Sequence, residues 1–157
     1  MPFNTLLLNS LISRTSFNES SGEISVTPEK NEIVLFFITD SEVVRQNLNI
    51  QGKICDCLIF YSRKGDSNKV LCLVELKGRK LEHAKEQIMN TYKQLRNLLE
   101  HSSCQNQLPQ ITWKAYICTH GDAPKEVAQC ANELKKTFGK NNSSIARAGD
   151  LGPFLRK

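Results

Sequence analysis

Two apolar segments joined by a short polar turn constrain the fold of this chain more than any other feature. Residues 53–61 and 69–77 are apolar on both faces, which is typical of central strands covered on both sides. The polar residues 63–68 between them predict a hairpin turn. We therefore expect two adjacent antiparallel strands at the centre of a sheet.

Charged residues interrupt these strands at positions that face one another. Folding the chain symmetrically about the turn places Asp56 opposite Glu75, and Lys77 shares the face of Glu75 because side chains alternate along a strand. Opposed Cβ atoms lie roughly 5 Å apart, so two carboxylates here ionise together only at a cost. Either a divalent cation neutralises them, or Lys77 forms a structural salt bridge with Glu75, which seldom repays its desolvation.

The spacing of these residues resembles the core of the PD-(D/E)XK nuclease superfamily. Asp56 is followed after 18 residues by Glu75-Leu76-Lys77 at the end of an apolar strand. The resemblance implies that Asp56, Glu75 and the backbone carbonyl of Leu76 hold Mg²⁺, for which Mn²⁺ could substitute. It also implies that Lys77 lies beside the attacking water.

The chain departs from the superfamily pattern in two places. Cys55 stands where a proline gives the motif its first letter. Residues 3–12, expected to form the first helix, lack the acidic residue that many members carry there. Glu19 and Glu23 follow this helix and are the alternative sources of a further carboxylate, so the number of metal ions stays open.

Hard oxygen ligands, supplemented by water and phosphate, suit Mg²⁺ better than a softer metal. A cation of this kind lowers the pKa of water and offsets charge on the leaving oxygen. Two nearby carboxylates favour the protonated form of Lys77. We therefore expect Lys77 to stabilise transition-state charge rather than to act as a general base.

An amphipathic helix is predicted directly after this segment, from residue 81 to about residue 100. Its apolar positions recur at intervals of three and four: Leu81, Ala84, Ile88, Tyr92, Leu95 and Leu99. A polar stripe runs beside them, formed by His83, Gln87, Asn90 and Gln94. We expect Gln87 to support the catalytic site or to contact phosphate, and the alternative is an ordinary polar flank.

The net charge of +5 is unevenly distributed along the chain. Residues 1–52 carry three basic and six acidic residues, and the remainder carries 18 basic and 10 acidic residues. This asymmetry favours a polyanionic partner, with nucleic-acid contacts predicted at Lys64, Arg79, Lys80 and Lys85. A solvated basic surface without a partner is the alternative.

The element order predicts an α/β sandwich with at least one parallel strand pair. The resemblance to the superfamily implies a restriction-endonuclease-like three-layer sandwich with a central mixed sheet and helices on both faces. We expect a single domain over residues 1–157, ending in a basic tail at 149–157 that could be flexible. No stretch approaches the roughly 20 apolar residues of a membrane span. Four of the six cysteines lie within predicted strands or a helix among apolar neighbours, which indicates free thiols and a cytoplasmic location.

The function expected from these observations is that of a Mg²⁺-dependent DNA endonuclease acting on double-stranded or branched DNA. Its role would be restriction, homing, junction resolution or defence, and a homodimer or higher homo-oligomer is implied by resemblance to small nucleases of this architecture. The alternatives are a catalytically silent nucleic-acid-binding or assembly module on the same fold, and an RNA nuclease.

Overall fold

The computed structural model describes residues 2–19, 22–76, 80–103 and 105–157, with side chains described from residue 4 onwards. The helices are α1 (Pro2–Asn9), α2 (Glu42–Leu48), α3 (Leu81–Glu100), α4 (Pro124–Phe138) and α5 (Gly152–Leu155), and a 3-10 helix spans Gln105–Gln110. The strands are β1 (Leu11–Ile12), β2 (Ser16–Glu19), β3 (Gly22–Ser25), β4 (Glu32–Ile38), β5 (Cys57–Arg63), β6 (Lys69–Leu76), β7 (Ile111–Cys118) and β8 (Ser143–Ala146).

A six-stranded mixed sheet forms the centre of the fold, in the order β1-β4-β5-β6-β7-β8. The first four strands of this order pair antiparallel, whereas β6, β7 and β8 pair parallel. The parallel half follows from the crossover helices, because α3 joins β6 to β7 and α4 joins β7 to β8. Strands β2 and β3 form a separate antiparallel hairpin.

The register between β5 and β6 agrees with the one predicted from the sequence. Cys57 pairs with Val74, and each following pair keeps the same offset down to Ser62 and Lys69. Extending this register by one position beyond β5 brings Asp56 across from Glu75. The expectation that these two acids oppose one another is confirmed.

The two faces of the large sheet are covered differently. Helices α1 to α4 all contribute to one apolar cluster, which includes Leu71 and Leu73 of β6. The opposite face, with Val70 and Cys72 of β6, packs against the β2–β3 hairpin and α5. The α/β class with a mixed sheet and helices is therefore as predicted, but the four longer helices share one face.

Two details of the helices differ from the sequence expectation. The first helix ends at Asn9, where the side chains of Asn9 and Ser10 hydrogen-bond back to the carbonyls of Thr5 and Leu6, and the chain then enters β1. Helix α3 has its predicted bounds, but its buried face differs from the expected one: Tyr92 is only partly buried, whereas Thr91 is fully buried.

Among the described residues, no helix has the length and apolar character needed to cross a bilayer.

Cysteines 55, 57, 72, 118 and 130 are free and buried, as predicted. Cys104 lies outside the described residues.

The C-terminal segment is packed against the sheet, in contrast to the flexible basic tail expected from its composition. Leu151 and Leu155 are fully buried against the β2–β3 side of the core. Arg156 forms an ion pair with Glu32 at 2.9 Å. The basic residues concealed this because the apolar residues that anchor the segment, Leu151, Phe154 and Leu155, are few and lie at a single short helical turn.

Glu32 is the centre of the polar network that holds this segment. Its side chain has no exposed surface and accepts hydrogen bonds from Arg156, Arg63 and the Tyr61 hydroxyl. These partners, led by Arg156, hold the pKa of Glu32 well below its ordinary value. A carboxyl with a lowered pKa contributes stability above its unfolded pKa of about 4, and that contribution is lost as the pH falls.

We predict that Glu32→Gln lowers the free energy of unfolding at pH 7 by about 2–3 kcal/mol, because Arg63 and Arg156 lose their buried carboxylate and keep only the exposed Glu29 as an acidic partner. Urea denaturation of both proteins at pH 7 and pH 3 measures the effect, which should shrink at the lower pH. The exposed Glu86 on α3 supplies the control, since Glu86→Gln removes the same charge without the network. An equal loss in both variants would contradict the assignment.

Candidate metal centre

Asp56 and Glu75 meet at the edge of the large sheet where β5 begins and β6 ends. Both side chains are buried, with 7% and 6% of their surface exposed. The backbone amide of Asp56 donates to Glu75 Oε2 at 3.2 Å, and the amide of Leu76 donates to Asp56 Oδ2 at 2.7 Å. The two acids are thus bound to each other's strands in a reciprocal arrangement.

Burial raises the pKa of both carboxyls, because desolvation disfavours the charged form. The Asp56 charge raises the pKa of Glu75 further, and the Leu76 amide, which donates to the Asp56 carboxylate, partly opposes the rise at Asp56. Glu19 and Asp40 add negative charge around both groups. The pair therefore retains a proton at a pH where isolated carboxyls would both be ionised.

Helix α3 positions the backbone that leads to Asp56. The amide side chains of Gln87, Asn90 and Gln94 donate to backbone carbonyls of residues 51–54, at 2.6–3.0 Å. The Thr91 hydroxyl accepts from the amide of Cys55 at 2.8 Å. Residues 51–55 precede β5, so these side chains replace the strand partner that the segment lacks.

Three of the four residues in the predicted polar stripe of α3 therefore position the backbone before Asp56. Gln87 donates to the carbonyl of Ile54 at 3.0 Å, two residues before Asp56. Gln87 therefore holds the backbone that leads to Asp56. A contact between Gln87 and phosphate stays a prediction. His83 is exposed.

Sequence reasoning did not find three residues that shape this site, namely Thr39, Asp40 and Thr91. Asp40 follows β4 and adds negative charge around the acids, as does Glu19 of the β2–β3 hairpin, which the sequence suggested as a source of a further carboxylate. Thr39 donates from its hydroxyl to the carbonyl of Cys55 at 2.5 Å, on the side opposite Thr91. A polar residue within an apolar stripe, as at Thr91, was the one available signal.

The other predicted site residues lie in different parts of the fold and differ in exposure. Lys77 and Arg79 lie outside the described residues. Lys80 is exposed at the start of α3, whereas Lys85 is only 12% exposed and forms ion pairs with Glu82 and Glu133. Lys64 lies in the turn after β5, at the opposite edge of the sheet from Asp56. Of the described basic residues predicted to contact nucleic acid, Lys85 is paired with carboxylates, whereas Lys64 and Lys80 form no ion pair with another described residue.

The donor set of the acid pair fits Mg²⁺. Two buried carboxylates supply hard oxygen ligands, and over residues 2–19, 22–76, 80–103 and 105–157 no basic side chain forms an ion pair with either. In the same described part of the chain, no group of three or more His, Cys, Asp or Glu side chains is arranged so that it could hold a metal ion. Mg²⁺ usually takes one or two carboxylates and completes its shell with water and phosphate, so Asp56 and Glu75 could hold it.

Binding of Mg²⁺ is predicted to release protons from this pair. Because the pKa values of both acids are raised, the metal-free fold loses stability as the pH rises above about 4, and a cation must displace the retained proton. We expect the apparent Mg²⁺ affinity to increase from pH 6 to pH 8, by up to about tenfold per pH unit for each proton released.

Calorimetric titration in two buffers of different ionisation enthalpy measures the released protons directly. The exposed acid Glu23, on β3, supplies the control, because Glu23→Gln should keep the same proton release. Binding without proton release at pH 7 would contradict the proposed state of the pair.

Comparisons with known proteins returned no match: no family model, no curated protein and no solved structure is significantly similar to this chain.

Proposed function

We propose that this protein is a Mg²⁺-dependent nuclease that hydrolyses phosphodiester bonds, most simply a DNA endonuclease. One observation carries the proposal: two buried carboxyls oppose each other across β5 and β6 with no cationic partner among the described residues. Buried like charges are costly, and a divalent cation offsets both. The resemblance of Asp56 and Glu75-Leu76-Lys77 to the PD-(D/E)XK pattern supplies the reaction type.

The residues of the chain would divide the work as follows. Asp56 and Glu75 would hold the ion, and the Leu76 carbonyl is proposed as a third ligand. When bound, Mg²⁺ supplies positive charge at the phosphate and activates water. Lys77 would place a protonated amine beside the phosphate and stabilise the charge that develops in the transition state.

The environment of the pair supports precise positioning. Leu76 holds Asp56 through its amide, and α3 fixes the segment before Asp56 through four side chains. A metal ligand whose backbone is held on both sides cannot drift from its partner, which is what in-line phosphoryl chemistry requires. Gln87 would therefore act as a positioning residue.

A catalytically silent nucleic-acid-binding module is the second candidate, and one observation favours it. Each acid accepts a backbone amide from the strand of the other acid, so the pair joins the two strands as it stands, and a proton retained on it would neutralise part of the charge without metal. In that case the pair would contribute only to the fold, and bound nucleic acid would stay intact.

Incubation of the purified protein with plasmid, linear duplex, branched DNA and RNA, in Mg²⁺ or EDTA, tests the proposal. We expect cleavage of at least one DNA substrate in Mg²⁺ and none in EDTA. Cleavage of RNA alone would assign an RNA nuclease, and binding without cleavage of any substrate would assign the silent module. Cleavage that persists in EDTA would overturn the metal mechanism. The substrate that is cleaved also separates junction resolution from duplex restriction or homing.

A further inference from the structure

A pocket on the opposite face of the sheet contains a buried lysine without a carboxylate partner. Lys114 of β7 is 1% exposed, and its Nζ donates to the carbonyl of Phe154 at 2.8 Å. The same nitrogen lies 4.9 Å from the centre of the Phe154 ring. Within the described parts of the chain, Lys114 forms no ion pair. Fully buried lysines are rare unless they are paired with a negative group.

The surroundings of Lys114 are positively charged. A pocket of about 150 Å³ is lined by Lys114, Arg63, Arg156 and Lys157, with Asp66 as the acidic lining residue among those described. Arg63 and Arg156 are already neutralised by Glu32, but Lys157 is close enough to repel the Lys114 ammonium. Burial lowers the pKa of Lys114 as well. An anion in the pocket would relieve both effects.

The size of the pocket selects the kind of anion. Its volume is below the roughly 300–1,000 Å³ of sites that enclose a whole drug-sized ligand. Asn68 and Thr112 also line the pocket and bring an amide and a hydroxyl beside the amines. A tetrahedral oxyanion with several acceptor oxygens matches this set, because each oxygen can accept from an ammonium, a guanidinium, an amide or a hydroxyl.

We propose that the pocket formed by Lys114, Arg156 and Lys157 is a binding site for a single phosphate group. Lys114 would donate to the phosphate while it keeps its bond to Phe154, so that the ligand fixes α5 on the sheet. Two sources share this chemistry: a free phosphate, or the terminal phosphate of a nucleotide or nucleic acid.

This site is separate from the acid pair. Lys114 pairs with Cys72 of β6, whose side chain faces the β2–β3 hairpin and α5, and Glu75 lies three residues further on the opposite face. Three residues of strand span about 10 Å. The inference rests on its own observations and is tested by binding rather than by cleavage, so it can fail or succeed independently of the proposed nuclease activity.

Thermal unfolding and calorimetry in inorganic phosphate, against chloride at matched ionic strength, test the site. We expect phosphate to raise the unfolding temperature of the native protein, and Lys114→Met to weaken phosphate binding by about tenfold or more, the value of one charge-assisted hydrogen bond. In chloride, Lys114→Met should be at least as stable as the native protein, because it removes an uncompensated buried charge. The exposed Lys136 of α4 supplies the control, and Lys136→Met should bind phosphate normally.

The opposite pattern would overturn the proposal: a Lys114→Met variant that is destabilised in chloride and still responds to phosphate. If this variant does not fold, amide chemical shifts of the native protein decide, since phosphate must perturb Thr112 and residues 154–157. A nucleoside 5′-monophosphate and an oligonucleotide with and without a 5′-phosphate distinguish the two sources. No perturbation at these residues by any of the ligands rejects the site.

Discussion

Replacing Glu75 with glutamine is expected to reduce Mg²⁺-dependent cleavage by about 10³-fold or more, because the ion loses one of its two carboxylates. The same change should stabilise the metal-free protein at pH 7, since it removes one of two buried acids that disfavour each other's ionisation. Glutamine can still accept the amide of Asp56 through its side-chain oxygen, as Glu75 does now. Single-turnover cleavage and urea denaturation measure the two effects.

The two readouts together separate a metal site from a structural salt bridge. If Glu75 served only to pair with Lys77, Glu75→Gln would lower stability and leave any cleavage largely intact. Glu23→Gln is the matched control, because Glu23 is exposed on β3 and does not raise the pKa of either acid among the causes identified for them. Loss of activity in both variants would point to a nonspecific effect of the charge.

Replacing Lys77 with methionine is expected to slow the chemical step by about 10²–10³-fold, the usual cost of removing one group that stabilises transition-state charge. Mg²⁺ affinity should stay the same or increase, because a positive charge near the two carboxylates disappears. Metal titration and single-turnover cleavage of the same preparation measure these two quantities. Lys93→Met, at an exposed position of α3, controls for the loss of one positive charge.

Cleavage and Mg²⁺ binding of the Lys77→Met variant together identify the role of Lys77. Full cleavage with intact metal binding would exclude Lys77 from the reaction. Loss of metal binding would instead mean that Lys77 organises the acid pair, because its removal would then disturb Asp56 and Glu75 rather than the transition state.

Much of the region around the acid pair could be predicted because it is encoded locally. The turn at residues 63–68 fixes the register of its own hairpin, and the register carries Asp56 to Glu75 without any information from the rest of the chain. Helix α3 was predicted with its bounds because its apolar positions recur with helical spacing over 20 residues. Both signals depend on neighbours in the sequence.

The rest depends on contacts between distant segments, which leave little trace in local patterns. Glu19 influences the acids because the β2–β3 hairpin folds beside them, although it precedes Asp56 by 37 residues. Residues 149–157 looked like a solvated tail because Arg156 and Lys157 dominate their composition, and the partner that neutralises Arg156 is Glu32. Net charge along the sequence could not show that Lys85 is already paired with two acids.

Because residues 51–55 are hydrogen-bonded to α3, a displacement of this helix would also move Asp56. Helix α3 has 20 residues and is therefore about 30 Å long, with its far end near the 3-10 helix Gln105–Gln110. A partner that displaced the helix along its axis would carry four side-chain anchors with it and pull Asp56 away from Glu75. Control of the protein from a remote surface would then require no rearrangement of the sheet.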